Sequence, residues 1–83
     1  MTIYYYTHDT YTYDDNYCDV SDCGFTTFEA AYKEMSAEVL DYIAERPNQK
    51  MTFFKDEDSI TVNLPDASFE HIWTIHKMDI KVI

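Results

Sequence analysis

Eighty-three residues make one small domain, 1–83, and 46% apolar content supplies a core that a disordered acidic tail would lack. The formal charge is −10, and its six bases, Lys33, Arg46, Lys50, Lys55, Lys77 and Lys81, form no basic stripe, which argues against direct binding to DNA or RNA. Met1 to Thr10 alternates Tyr and Thr with no basic leader, and no long apolar run follows, so the chain reads as a soluble cytoplasmic protein without signal peptide or membrane span.

Thr2 to Tyr6 and Thr10 to Tyr13 are rich in strand-favouring Thr and Tyr and are separated by His8 and Asp9, as one bent strand or a hairpin would be. Asp14 to Gly24, dense in Asp, Asn and Ser and closed by the single glycine, reads as a loop. Thr26 and Glu29 then have the spacing of a capping box, with Phe25 and Ala30 as its hydrophobic staple. Phe28, Tyr32, Met35, Val39 and Ile43 recur at helical spacing, so the helix is expected over about Thr27 to Glu45, ended by Pro47.

Met51 to Phe54 and Ser59 to Leu64 flank the turn Lys55-Asp56-Glu57-Asp58, and Ile60, Val62 and Leu64 alternate with polar neighbours, as in a hairpin with one buried face. Beyond Pro65-Asp66, Met78, Ile80 and Val82 alternate with Lys77, Asp79 and Lys81, which predicts a last strand over 77–82 whose upstream part includes Trp73 and Ile75. Trp73 and Ile75 are out of phase with that alternation, so it needs a bulge or short turn near His76, or a helical turn over 68–73. The expected fold is α+β: one helix packed on an antiparallel sheet of about four strands, in two layers.

Few patterns point to bond-making chemistry. Asp14, Asn16 and Cys18 lack the central glycine and distant glutamate of a calcium loop. Cys18 and Cys23, with His8, His71 and His76, do not have zinc-site spacing, and if 71–76 is a strand His71 and His76 point to opposite faces. Two reduced thiols are expected in a cell, though the spacing permits a short-loop disulfide. No base lies near a nucleophile, one glycine cannot make a phosphate cradle, and surface carboxylates lack a desolvated pocket. The reading is of a non-enzyme with no cofactor and no metal.

The acids carry more. Residues 1–45 hold ten acids, one base and all eight tyrosines, whereas residues 46–83 hold six acids and five bases. Such a field opposes compaction, and a basic partner would offset it. Glu34, Glu38, Asp41 and Glu45, spaced four, three and four apart, form one row beside the apolar stripe, and no lysine interrupts them. Asp41 and Glu45 also sit at the unfavourable end of the helix dipole, while Glu29 and Lys33 have the favourable i,i+4 spacing. The row is either the solvated face of an acidic protein or a recognition surface. Asp14, Asp15, Asp19 and Asp22 add a second acidic group, with Tyr13 and Tyr17 beside it to stack on basic side chains.

In its size, its acidity, its aromatic content and its expected layers the chain resembles the small phage-encoded inhibitors of bacterial defence, notably the DNA-mimicking anti-CRISPR proteins. More loosely, it is similar to restriction inhibitors and uracil-glycosylase inhibitors. The resemblance rests on no motif. It implies an acidic surface that occupies the cleft where a nuclease holds DNA, such as the motif-reading cleft of a Cas9-like CRISPR effector. It also implies a phage origin and the cytoplasm of a bacterial host. The rival reading is a structural or adaptor protein that binds another protein through its Tyr-rich strand or a sheet edge.

Overall fold

Trp73, Met35 and Val62, the largest fully buried side chains, come from three different elements and mark where a helix closes over a sheet. The computed structural model describes residues 1–81. Its elements are β1 (Thr2–Tyr11), β2 (Asn16–Val20), α1 (Phe28–Ala44), β3 (Thr52–Lys55), β4 (Ser59–Leu64) and β5 (Phe69–Asp79). All neighbouring strands are antiparallel, in the order β2-β1-β5-β4-β3, and α1 packs across β1 and β5. The α+β two-layer expectation is met with five strands rather than about four. Among the described residues no helix is long and apolar enough to cross a membrane.

The two Thr/Tyr segments form one strand. β1 pairs with β5 without interruption from Thr2↔Asp79 to Tyr11↔Glu70, so His8 and Asp9 continue the ladder. β2 lies inside the segment that reads as a loop. All five of its residues are exposed, and Asn, Asp and Cys give no alternating pattern; cross-strand pairing with β1, from Thr7↔Val20 to Tyr11↔Asn16, defines it.

The helix matches its expected span but starts from a different cap. Thr27, in extended conformation, accepts a hydrogen bond from the Ala30 N–H at 3.1 Å through its hydroxyl, so the Thr26–Glu29 capping box is not formed. Met35 and Val39 are buried with Ala31, and Phe28, Tyr32, Tyr42 and Ile43 pack at the margins of the core.

The final strand contains Trp73 and Ile75 as expected, but its bounds and its continuity differ from the expectation. β5 begins at Phe69, after a turn in which Ser68 has φ 57°, and ends at Asp79, so no bulge or helical turn separates Trp73 from Met78. As the middle strand between β1 and β4, β5 buries His71, Trp73 and Ile75 under the helix. Met78 belongs to the opposite face at 47% exposure, and Ile80 lies past the strand at 41%. The alternation of Met78 and Ile80 was real but marked the uncovered side; Val82 lies outside the described residues. The β3–β4 hairpin formed as expected, with Val62 and Leu64 buried and Ile60 packed beside them.

Gly24 is required by a close approach. Phe25 exchanges backbone hydrogen bonds with Tyr4, at 2.7 and 2.8 Å, which presses the preceding residue onto β1. A Cβ at Gly24 would collide with Ile3 Cγ2.

Candidate functional site

Helical periodicity puts Glu34 and Glu38 on the side of α1 that overlooks β1 and β2. Glu38 reaches furthest toward the sheet: its Oε2 accepts the Trp73 indole N–H at 3.2 Å. Burial pushes the Tyr6 hydroxyl up to about 12, helped by the negative charges of Glu38 and Glu34. Across from them, β2 and the turn after it bring Asp19 and Asp22 to the same place. Glu38, Asp19 and Asp22 line one cleft of about 70 Å³ with Tyr6, His8 and Ser21. Two acidic groups that lie far apart in the sequence thus meet at the junction of helix and sheet.

The remaining expected residues do not join that cleft. Asp14 and Asp15 are at the β1–β2 hairpin turn, where the Thr12 N–H donates to the Asp15 carbonyl at 2.8 Å and Asp15 Oδ1 accepts the Asn16 N–H at 3.0 Å. Tyr13, at the same turn, is 88% exposed. Asp41 and Glu45 are exposed near the C-terminal end of α1. Tyr17 lines a second cleft, of about 350 Å³, with Tyr42, Arg46, Gln49 and His71. Arg46 lies over the Tyr42 ring, 3.8 Å from its centroid, and its Nη1 is 3.6 Å from Glu45 Oε2. Among the described residues that is the one ion pair; Glu29 and Lys33 do not close theirs. The acidic row therefore extends along the helix with its first three members unneutralised.

Beneath the row lies a polar network that the sequence reading missed. Tyr42 Oη is 2.7 Å from His71 Nε2, and His71 Nδ1 is 2.8 Å from His8 Nε2, so the two imidazoles share one hydrogen between them. Thr10 Oγ1 lies 3.3 and 3.4 Å from the same two nitrogens. His8 stacks on Trp73 at 4.1 Å between centroids, and Trp73 in turn donates to Glu38. Burial lowers His71 to about 4, with the neighbouring His8 and Arg46 acting in the same direction. Burial also lowers His8, against the pull of Glu38, Asp19 and Asp9. His76 points to the other face, as the strand geometry requires, with Nε2 2.8 Å from Thr7 Oγ1 and its ring stacked on Tyr5. The signal that would have found the network was the alternation of His71, Trp73 and Ile75.

Cys18 and Cys23 are exposed free thiols; the Asp9 carboxylate beside Cys18, which accepts its hydrogen bond, pushes that thiol upward. Among the described residues, no three His, Cys, Asp or Glu side chains are grouped to hold one metal ion.

No protein-family model, curated protein sequence or solved structure matches the chain.

Proposed function

We propose that this chain is a non-catalytic inhibitor that sets its acidic face on a basic nucleic-acid-binding surface of a bacterial defence nuclease, with a Cas9-like effector as the first target. DNA is thereby excluded from the nuclease. The observation that carries the reading is the meeting of Glu38 with Asp19 and Asp22 around one cleft, on a helix row that no lysine neutralises. A solvated face needs only exposure. It does not need acids from two separate elements to converge where like charges oppose each other. Glu34, Glu38, Asp19 and Asp22 would form the centre of the contact, Asp41 and Glu45 its extension along the helix, and Asp14, Asp15, Tyr13 and Tyr17 an outer zone. Neither a cofactor nor turnover is needed.

The adaptor reading is weakened at one of its two supports. β1, which holds Tyr4, Tyr5, Tyr6 and Tyr11, is paired along one side by β5 and on the other by β2 over Thr7–Tyr11, with Phe25 and Ser21 hydrogen-bonded to Tyr4 and Tyr6 before it. Tyr4 and Tyr6 also turn inward onto Phe28 and Phe25.

The test is affinity capture from bacterial lysate at low and high salt, using the wild type and Glu38→Lys/Asp41→Lys as baits. Charge-driven capture weakens steeply with salt, because screening acts over about 8–10 Å in physiological buffer. The expected result is a DNA-binding protein that the wild type retains at low salt only and the double variant does not retain. Equal capture by both baits, or capture indifferent to salt, would favour the adaptor.

A further inference from the structure

β3 is one free edge of the sheet, and it lies at the opposite side from β2, which carries Asp19 and is flanked by Asp14, Asp15 and Asp22. All four of its residues are exposed, and Phe53 and Phe54 stand 56% and 65% open on its two faces. A short strand of this kind offers unpaired backbone groups, and proteins usually guard it with an outward lysine, a proline or a bulge. Here the guard is turned away: Lys55 Nζ lies 5.3 Å from the Tyr32 ring centroid, drawn back toward the helix. No proline or bulge interrupts the pairing of β3 with β4 from Thr52↔Asn63 to Lys55↔Ile60.

From this edge we infer that a second copy of the chain pairs antiparallel with β3, giving a two-fold dimer with a continuous ten-stranded sheet. The occupant is identified by charge. The segment runs from Lys50 through Phe53 and Phe54 to Asp56-Glu57-Asp58, basic at one end and acidic at the other, so its antiparallel copy is complementary to it. Keeping both helices on one side of the sheet requires residues of like parity to face each other. The two-fold then falls on Phe53 or on Phe54. In the first case Lys50 faces the second copy's Asp56, in the second its Asp58; both bring opposite charges together. Either register also sets a phenylalanine against its own copy at the centre, a pairing that adds to sheet stability. Net repulsion between copies is limited because β3 belongs to the nearly neutral residues 46–83, and β2 with the acids of its flanking turns is four places away. The dimer would carry one acidic face at each end, both free.

Sedimentation velocity over a concentration series, with circular dichroism to check folding, tests the inference without any other protein. The wild type is expected to pass from monomer to dimer. Of Phe53→Lys and Phe54→Lys, the one that lies on the two-fold puts like charges at the centre and should weaken association about tenfold or more. Lys50→Glu should weaken it, as should Asp56→Lys/Asp58→Lys, which covers the partner of Lys50 in either register, while a mixture of those two variants should restore dimers. A wild type that stays monomeric up to millimolar concentration would overturn the inference. So would a dimer that neither Phe53→Lys nor Phe54→Lys weakens, open-ended aggregates in place of a dimer, or a mixture with no restored association. Because none of these substitutions falls on the acidic face, failure here leaves the proposed inhibition standing.

Discussion

Glu38 has two roles that a single deletion would confuse. It is exposed enough to meet a partner, yet its carboxylate also satisfies the buried Trp73 N–H. Glu38→Gln keeps an acceptor at that place and removes the charge, so its stability should stay within about 1 kcal/mol of wild type while partner binding falls. Glu38→Ala should lose both, with the indole left unpaired. Urea unfolding and binding measured on the same two variants separate the effects. Gly24→Ala gives a second residue-scale test: the added methyl meets Ile3, and overpacking of this kind typically costs about 1–3 kcal/mol.

The histidines add a pH dependence whose sign follows from burial. His71 is lowered to about 4 from an ordinary 6.5, so the unfolded chain binds its proton more readily. The stability held in the neutral ring is fully present above about pH 6.5 and is lost as the pH falls toward 4. His8 acts in the same direction. The measurement is the difference between wild type and His71→Gln, which isolates the histidine from every other group. Urea midpoints should converge between pH 7 and 4.5 as the wild type loses its advantage. A constant difference would mean that the imidazole pair is not held neutral.

At the scale of elements, the start of α1 separates what sequence pattern carries from what it does not. The apolar stripe gave the helix and its buried residues, because one face must be covered whatever the ends do. It did not choose between two adjacent threonines, either of which could cap. Thr27→Ala should cost about 1 kcal/mol, within the usual range of 0.5–2, and Thr26→Ala much less. Thermal unfolding of the two variants checks the assignment; equal losses would contradict it.

Strand legibility followed burial. β4 was readable because Val62 and Leu64 are buried on one side while the other stays polar. β2 was not, since a fully exposed edge imposes no alternation, and its residues are individually poor strand formers. β5 was half readable: its alternation was visible, but the terminal Met78 and Ile80 gave the wrong face. The acids were legible as two groups, and Glu38 joins Asp19 and Asp22 through the fold of β2 beside α1. Asp14 and Asp15 stay apart because the hairpin turn projects them at the far end of β1. The histidine network joins β1, β5 and α1; the alternation of His71, Trp73 and Ile75 marks its β5 member, but no spacing in the sequence brings His8 and Tyr42 to it.

For the whole molecule, the decisive quantity is where the charge lies. The chain is 50 × 25 × 20 Å, and ten net charges along 50 Å give about a third of the axial charge density of duplex DNA, which carries one charge per about 1.7 Å. Spread evenly, that would be a poor substitute for a phosphate backbone. The fold does not spread it: residues 1–45, which are β1, β2, α1 and the turns around them, carry nine of the ten net charges, while residues 46–83, with β3, β4 and β5, form the nearly neutral side. The inhibitor reading therefore stands or falls on the helix row and the Asp19–Asp22 segment. The most direct measurement is displacement of labelled DNA from the captured nuclease, followed by anisotropy at 50 to 300 mM salt, a range chosen at roughly the scale over which screening changes. Wild type should displace the DNA at low salt and lose potency as salt rises. Glu38→Lys/Asp41→Lys should be weaker by about one order of magnitude or more, whereas Lys77→Glu/Lys81→Glu should change little. A folded Glu38→Lys/Asp41→Lys variant that displaces DNA as well as wild type would contradict the account and leave the row as a solvated face.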